Sequence, residues 1–427
     1  MHAARAGARR GRSVRTGRRT LKPRPFSDVE LEGWAARHGT PLYVYDAAAI
    51  VERLRELEAF DCVRYAQKAN ANLALLRLLR ESGAEIDAVS AGEIERALRA
   101  GFRPDQITFT ADLLDEAALA RVVALRIAVN AGSADMIEQL ARAGWGGELA
   151  LRVNPGFGHG HDDKVNTGGE SSKHGIWHAE LPAALERSRA AGLEVRTLHM
   201  HIGSGSDFEH LARVCDAMGA AARAVGGSLR SISAGGGLPT PYRPSDRRIN
   251  VERYTQMWLA ARDAIARELG QPIEVETEPG RYLVAEAGLL LARVRARKRQ
   301  GGIDYVLVDA GFHNLVRPAM YGAYHQISVV GRDGEPHAPR VVAGPLCESS
   351  DVFTQRKGGG IEPRELPDAR VGDLVCIHDC GAYASSMASN YNSQLLAPEL
   401  LVEGGVARLV RRRQDFDHLL ALEDELD

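Results

Sequence analysis

Apolar, strand-like runs alternate with amphipathic helical stretches between about residues 47 and 288, and this alternation constrains the fold more than any other feature. The pattern is typical of a parallel α/β structure, in which a helix returns the chain to the start of each following strand. Eight such units in about 240 residues match the size of a closed (β/α)8 barrel of the TIM type. The eight runs cover residues 63–66, 86–89, 107–110, 127–129, 149–153, 197–200, 231–233 and 273–276.

The pattern changes after about residue 289 to short strands that are separated by glycine and proline. Strands are predicted near residues 305–308, 341–343 and 374–378, with a hairpin over 400–409, which indicates a sandwich-like or barrel-like β domain. A strand at 41–45 precedes the barrel and is expected to join this domain. The predicted division is a basic extension over 1–24, an N-terminal strand segment over 25–46, the barrel over 47–288 and the β domain over 289–427.

The first 24 residues contain nine of the 54 lysines and arginines and no acidic residue, although the whole chain has a net charge of −2. This extension lacks the apolar stretch of a secretory signal and has no periodic apolar pattern, so we expect it to be disordered. A targeting peptide and a nucleic-acid arm are alternatives for this segment. We predict no nucleic-acid partner. We also predict no membrane partner, because no apolar run approaches the roughly 18 residues of a membrane span.

The five cysteines are an odd number without the even spacing of a disulfide framework. Reduced thiols are typical of the cytosol, so the sequence favours a cytoplasmic protein.

Polar and glycine-rich residues follow the predicted barrel strands, at the end of a barrel where active sites are built. They are Lys68, Ser90, Arg152 with Asn154, His201 with Ser204, the glycines 235–237, and Glu278 with Gly280 and Arg281.

These residue types match the requirements of pyridoxal phosphate. Lys68, partly desolvated and near cations, is expected to have a lowered pKa and could form a Schiff base with a carbonyl. The glycine triplet offers bare backbone amides to a phosphate, with Ser204 and Arg281 as further donors. Glu278 would keep a pyridine nitrogen protonated, and His201 could lie flat against the ring.

Seven motifs follow one another along the chain: residues 65–70 (YAQKAN), 199–204 (HMHIGS), 235–237 (GGG), 278–281 (EPGR), 317–322 (RPAMYG), 347–351 (CESSD) and 381–383 (GAY). Together they resemble the pyridoxal-phosphate-dependent decarboxylases with an alanine-racemase-type barrel, and among these the diaminopimelate decarboxylase family. The resemblance covers about residues 25–425. Residues 154–161 (NPGFGHGH) and 166–170 (NTGGE) are similar to the enterobacterial branch of that family.

The resemblance implies decarboxylation of meso-2,6-diaminopimelate at its D-configured centre, giving L-lysine and carbon dioxide as the last step of lysine biosynthesis. It further implies that Lys68 binds pyridoxal phosphate as a Schiff base, that His201 stacks on its ring and that Glu278 pairs with the pyridine nitrogen. The implied phosphate ligands are Ser204, Gly237, Gly280 and Tyr383, with Arg281 nearby. The residues implied to bind the distal end of the substrate are Arg281, Arg317, Tyr321, Glu348 and Tyr383.

The same resemblance implies a homodimer. Cys347 and Glu348 would come from the β domain of the partner subunit, and the Cys347 thiol would lie near the substrate α-carbon as a proton donor. The active sites would therefore be shared across the dimer interface.

Three other activities fit part of the pattern. An alanine-racemase-type enzyme would place an arginine against the ring nitrogen, where this chain has Glu278. The substrate of an ornithine or arginine decarboxylase has no distal carboxylate that Arg317 could bind. A metal-dependent barrel hydrolase could use His199 and His201, or residues 159–163 (HGHDD). Alternate residues of one strand do not both face the barrel mouth unless the strand bends, and the paired histidines of amidohydrolase-type enzymes end the first strand, whereas this pair ends the sixth. We therefore predict no metal site.

Overall fold

Eight parallel strands form a closed barrel in the computed structural model, which describes residues 22–158, 168–201 and 207–423. Each strand pairs with its neighbours in chain order, and the last pairs with the first, so the barrel predicted from the alternation is confirmed. A two-residue strand, β7 (Ile176–Trp177), pairs with the fifth barrel strand from outside the ring. The barrel strands are β2 (Cys62–Ala66), β3 (Glu85–Ala88), β4 (Ile107–Ala111), β5 (Ala128–Ala131), β6 (Leu149–Asn154), β8 (Val195–His199), β9 (Ser231–Ser233) and β10 (Glu274–Thr277).

The helices between the strands bury one apolar face each against the barrel. In the third helix, Leu75, Leu76 and Leu79 are fully buried at helical spacing, and each such leucine contributes roughly 1.5 to 3 kcal/mol by its burial. The side chain of Asn72 caps this helix by accepting a hydrogen bond from the backbone amide of Ala74. The described helices are α1 (Asp28–His38), α2 (Ala47–Arg55), α3 (Leu73–Glu81), α4 (Ala91–Ala100), α5 (Glu116–Leu125), α6 (Ala134–Arg142), α7 (Leu181–Ala190), α8 (Phe208–Val225), α9 (Val251–Leu269), α10 (Arg281–Val284), α11 (Arg317–Tyr321) and α12 (Phe416–Leu420).

A second, mixed sheet contains the C-terminal strands and the strand that precedes the barrel. That first strand pairs antiparallel with the long strand that leaves the barrel and parallel with a strand near the C-terminus. The hairpin predicted around Gly404 and Gly405 is confirmed, and both glycines have a positive φ. The strands are β1 (Leu42–Asp46), β11 (Gly288–Gln300), β12 (Ile303–Val308), β13 (Ile327–Val329), β14 (His337–Ala343), β15 (Arg364–Pro367), β16 (Leu374–Ile377), β17 (Glu399–Glu403) and β18 (Val406–Arg411).

The end of the predicted basic extension contacts the folded body. Residues 1–21 lie outside the described residues, but Lys22 forms an ion pair with Asp379, and Arg24 forms one with Asp333. A disordered extension therefore does not include Lys22 and Arg24, because both side chains have carboxylate partners in the β domain. The other boundaries of the predicted division stay predictions. No helix among the described residues is long and apolar enough to span a bilayer.

Candidate active site

The carboxyl ends of four barrel strands bring the predicted polar residues together. Lys68 lies in a short 3-10 turn directly after β2, and its side chain is exposed at the barrel mouth. Glu278 follows the end of β10, and the three glycines begin two residues after β9. His201 lies two residues beyond the end of β8. Since parallel strands end on one side of the barrel, all of these groups face one cavity mouth.

Glu278 is a buried carboxylate, and each of its two oxygens accepts a hydrogen bond. His199 Nε2 donates a hydrogen bond of 2.8 Å to Oε2, and the hydroxyl of Ser233 donates one of 3.0 Å to Oε1. Burial alone would raise the pKa of Glu278, but the neighbouring His199 and His201 and the Ser233 hydroxyl outweigh it and lower that pKa. The carboxylate therefore stays ionised inside the barrel.

His201 is held as a neutral imidazole. Its Nδ1 accepts a hydrogen bond of 3.0 Å from the backbone amide of Gly236, which leaves the proton on Nε2. Burial, with the positive charges of Arg152 and Lys68, holds the pKa of His201 well below its usual range. A neutral ring in a fixed orientation suits stacking on another ring.

The glycine triplet is required by close packing between two strand ends. A Cβ on Gly235 would lie 2.7 Å from the Cβ of His201, and one on Gly236 would lie 2.6 Å from the carbonyl oxygen of Glu278. Gly237 has a φ of +102°, which side chains of L-residues rarely adopt. The sequence indicated these glycines as a phosphate site, and the structure adds a steric reason for two of them. Ser204, the predicted side-chain donor, lies outside the described residues.

The pKa expected for Lys68 is wrong in direction. Surrounding protein atoms desolvate the solvent-accessible ammonium and so lower its pKa, but attraction by Asp87, Tyr383 and Glu278 outweighs both this desolvation and the repulsion from Arg152. The net result is a raised pKa. The sequence analysis did not include Asp87, whose only signal is an acid inside the apolar run of β3. Burial and the nearby Glu278 raise the pKa of Asp87.

A second group, the arginine clamp, contains Arg281, Arg317, Tyr242 and His325. Arg281 Nη1 donates a hydrogen bond of 3.0 Å to the hydroxyl of Tyr242, and the guanidinium of Arg317 lies 4.5 Å from the centre of the Tyr242 ring. Arg317 is 7% exposed, and its Nη1 donates to His325 Nε2 over 2.8 Å. Tyr242 and His325 were not singled out from the sequence, since neither lies in a recognisable motif.

The arginine clamp has no acidic partner of its own. Among the residues that the structure describes, no aspartate or glutamate forms an ion pair with Arg281 or Arg317. Burial and repulsion from Arg281 lower the pKa of Arg317, against the attraction of Tyr242. A buried guanidinium without a carboxylate is unfavourable unless a ligand supplies the anion. The clamp therefore has the chemistry of a carboxylate-binding site.

Comparisons with known proteins agree with this geometry. Residues 48–285 match the family of pyridoxal-dependent decarboxylases, pyridoxal-binding domain. The diaminopimelate decarboxylase of Escherichia coli strain K12 is 54% identical over 397 residues, which cover 91% of this chain and 94% of that protein. The chain belongs to the diaminopimelate decarboxylase family.

Solved structures of this family have the same fold. A crystal structure of diaminopimelate decarboxylase is 52% identical and superposes with a TM-score of 0.90, covering 93% of this chain and 98% of that one. The diaminopimelate decarboxylase of Helicobacter pylori in complex with L-lysine is 31% identical, with a TM-score of 0.83 over 92% of this chain and 99% of that one.

The family assignment overturns the hydrolase alternative. The exception made for a strand that bends does apply to the two histidines. His199, His201 and Glu278 have ligand atoms within 4.8 Å of one another, so both histidines face the barrel mouth. They do so because β8 ends at His199 and the chain leaves the strand before His201. The His159–Asp163 segment lies outside the described residues.

Of the remaining predicted site residues, Tyr383 lies next to the arginine clamp, whereas Cys347 and Glu348 are exposed on the β domain. Tyr383 has a φ of +55° and lies beside Arg281, whose guanidinium is 4.9 Å from the ring centre. Tyr321 ends α11, the short helix that begins with Arg317. Within the described residues, neither Cys347 nor Glu348 makes a hydrogen bond or ion pair with the polar residues at the barrel mouth. The single chain thus does not bring these two residues into the site.

Proposed function

We propose that this protein uses pyridoxal phosphate to decarboxylate meso-2,6-diaminopimelate, releasing carbon dioxide and L-lysine in the cytoplasm. The observation that carries the proposal is the arginine clamp, in which a buried Arg317 and a half-buried Arg281 form no ion pair with an acidic residue in the described part of the chain. Tyr383 connects it to the barrel site, because it lies near both Arg281 and Lys68. A decarboxylase acting on a simple diamine precursor such as ornithine would have no anion to place there.

The residues of the barrel mouth fit pyridoxal phosphate. Lys68 would hold the cofactor aldehyde, Glu278 would pair with the pyridine nitrogen and His201 would lie against the ring. The phosphate would be bound by Ser204, Gly237, Gly280 and Tyr383, with Arg281 nearby. A Cβ on Gly280 would lie 3.1 Å from the carbonyl oxygen of Ala66, so the backbone there is bare and closely packed.

When bound, pyridoxal phosphate supplies an electron sink for the charge that remains on the α-carbon after carbon dioxide leaves. Glu278 would support this chemistry by holding a proton on the pyridine nitrogen. His199 and Ser233 assist because their hydrogen bonds keep that carboxylate ionised. His199 is thus a positioning residue that the sequence motifs suggested only as a metal ligand.

The arginine clamp, with Tyr321, Tyr383 and Glu348, would select and orient the distal end of the substrate. A planar guanidinium binds a carboxylate through two parallel hydrogen bonds, which fixes direction as well as distance. A fixed distal end would also restrict the orientation of the bond to the leaving carboxylate. The distal carboxylate and ammonium together would distinguish diaminopimelate from lysine and ornithine as substrates, whose distal ends carry an ammonium without a carboxylate.

The test is product formation from meso-diaminopimelate by the purified protein with pyridoxal phosphate. We expect equimolar carbon dioxide and L-lysine, measured by gas release and amino-acid analysis, and little release from ornithine or arginine. Faster turnover of ornithine than of meso-diaminopimelate would contradict the proposal in favour of a basic amino-acid decarboxylase.

We also propose a homodimer in which Cys347 and Glu348 reach the partner's site, with the Cys347 thiol delivering a proton to the substrate α-carbon. The exposure of Cys347 on the β domain supports this arrangement. Lys68→Ala and Cys347→Ala should each be nearly inactive alone, yet mixing them should restore roughly a quarter of wild-type activity, because half of the dimers then contain one intact site. Native mass spectrometry of the mixture verifies subunit exchange. Exchange without recovered activity would place both residues in the site of one chain.

A further inference from the structure

Lys22 attaches the N-terminal arm to the β domain through its backbone. Its amide donates a hydrogen bond of 2.9 Å to the side-chain oxygen of Gln326, and the Gln326 side-chain nitrogen donates one of 3.0 Å to the Lys22 carbonyl. Gln326 is fully buried. This two-point pairing fixes where the Lys22 side chain begins.

The ammonium of Lys22 then joins three parts of the chain that are far apart in sequence. It donates to Asp379 Oδ2 over 2.9 Å in the β domain and to the carbonyl oxygen of Pro241 in the loop after β9. It also lies 3.8 Å from Glu286 Oε1, just after α10. The side chain of Lys22 is 22% exposed, so these contacts are largely shielded from solvent.

One of these contacts adjoins the arginine clamp in sequence, and another is connected to it through a hydrogen bond. Pro241 precedes Tyr242, whose ring and hydroxyl contact Arg317 and Arg281. Asp379 follows His378, whose carbonyl oxygen accepts a hydrogen bond of 2.8 Å from His325 Nδ1. His325 in turn accepts from Arg317. Lys22 is therefore connected to the arginine clamp by two routes, one through Pro241 and one through Asp379.

The positive charge of Lys22 also stabilises the ionised form of Asp379. Asp379 is a buried carboxylate whose pKa is raised to about 6, because burial outweighs the attraction of Lys22 and Arg317. Without Lys22, the pKa of Asp379 would rise further, and Arg317 would be left to stabilise the ionised form. An ionised Asp379 would then compete with a distal carboxylate of the substrate for Arg317.

We propose that Lys22 is a positioning residue for substrate binding. Its ammonium holds the loop that carries Tyr242 and neutralises Asp379, so that Arg317 remains available for the distal carboxylate. This inference rests on the proposed function for the identity of the substrate. It also changes what we expect of the basic extension, because residues 1–21 should be dispensable whereas Lys22 should not.

The test replaces Lys22 by methionine in the full-length holoenzyme, which keeps most of the side-chain length and removes the ammonium. We expect KM for meso-diaminopimelate and the inhibition constant of L-lysine to rise together by about tenfold, the scale of one or two lost charged contacts. The value of kcat should change by less than about twofold, because Lys22 touches no reacting group. Lys22→Arg should recover most of the lost affinity.

A second measurement does not depend on turnover. Amide hydrogen exchange in residues 238–246 should be faster in Lys22→Met than in the wild type, since the Pro241 carbonyl loses its partner. The matched control is Arg24→Met, which removes the second cation in the described part of the arm and its contacts with Asp333, Asp28 and Ser328. It should retain wild-type KM and exchange, as should the protein without residues 1–21.

Unchanged KM and unchanged exchange in a folded Lys22→Met variant would overturn the inference. A loss of kcat and thermal stability at constant KM would also overturn it, because that pattern indicates a purely structural tether. If the wild-type protein did not turn over meso-diaminopimelate, the proposed function would fail, and the exchange rates of residues 238–246 would still decide the role of Lys22.

Discussion

Replacement of Lys68 by alanine is expected to lower kcat by roughly 10⁴-fold or more, the scale for removing a covalent catalytic group. The amine of Lys68 would both attach the cofactor and exchange places with the substrate amine, and Lys68 lies in the turn directly after the first barrel strand. Because Asp87 and Glu278 raise the pKa of Lys68, its ammonium must first lose a proton before the amine can react.

The measurement combines turnover with borohydride reduction followed by peptide mass analysis. The wild type should carry the reduced cofactor on the peptide that contains Lys68, and the Lys68→Ala variant should carry none. Lys298→Ala is the matched control, because Lys298 is an exposed strand residue of the β domain. Reducible cofactor on another lysine in the Lys68→Ala variant would show that the assignment is wrong.

Replacement of Arg317 by alanine should cost about 2 to 4 kcal/mol of transition-state binding, which corresponds to a 30- to 700-fold lower kcat/KM. The physical reason is that the distal carboxylate would be left in a buried site without its main counter-charge. Because Arg317 has no ion-pair partner among the described residues, its removal should leave the melting temperature unchanged or raise it.

Steady-state kinetics and calorimetry of the same Arg317 preparations separate these two effects. Arg317→Lys is the control for charge, and it should recover only part of kcat/KM because an ammonium cannot form two parallel hydrogen bonds. A large fall in melting temperature together with unchanged kcat/KM would mean that Arg317 supports the fold rather than substrate binding.

The sequence determined the barrel and the positions of its strand ends. Strand period and helix period differ, so each switch between them is visible in a short window of residues. The run predicted at 149–153 is β6 (Leu149–Asn154), and the run at 231–233 is β9 with the same bounds. Because barrel sites form where strands end, Lys68, His201 and Glu278 could be selected from local patterns and motifs alone.

Only the tertiary structure decided how these side chains affect one another. The pKa of Lys68 depends on Asp87 and Glu278, which lie 19 and 210 positions away in the chain, and their attraction reverses the direction expected from burial. The partners of Glu278 and the arrangement of the arginine clamp likewise depend on residues from separate strands and loops. Lys22 falls in a segment whose composition predicts disorder, yet its contacts are made with residues more than 200 positions away. Local sequence encodes the period of an element, whereas charge and hydrogen bonding act through space, and the distances that decide them exist only after the chain has folded.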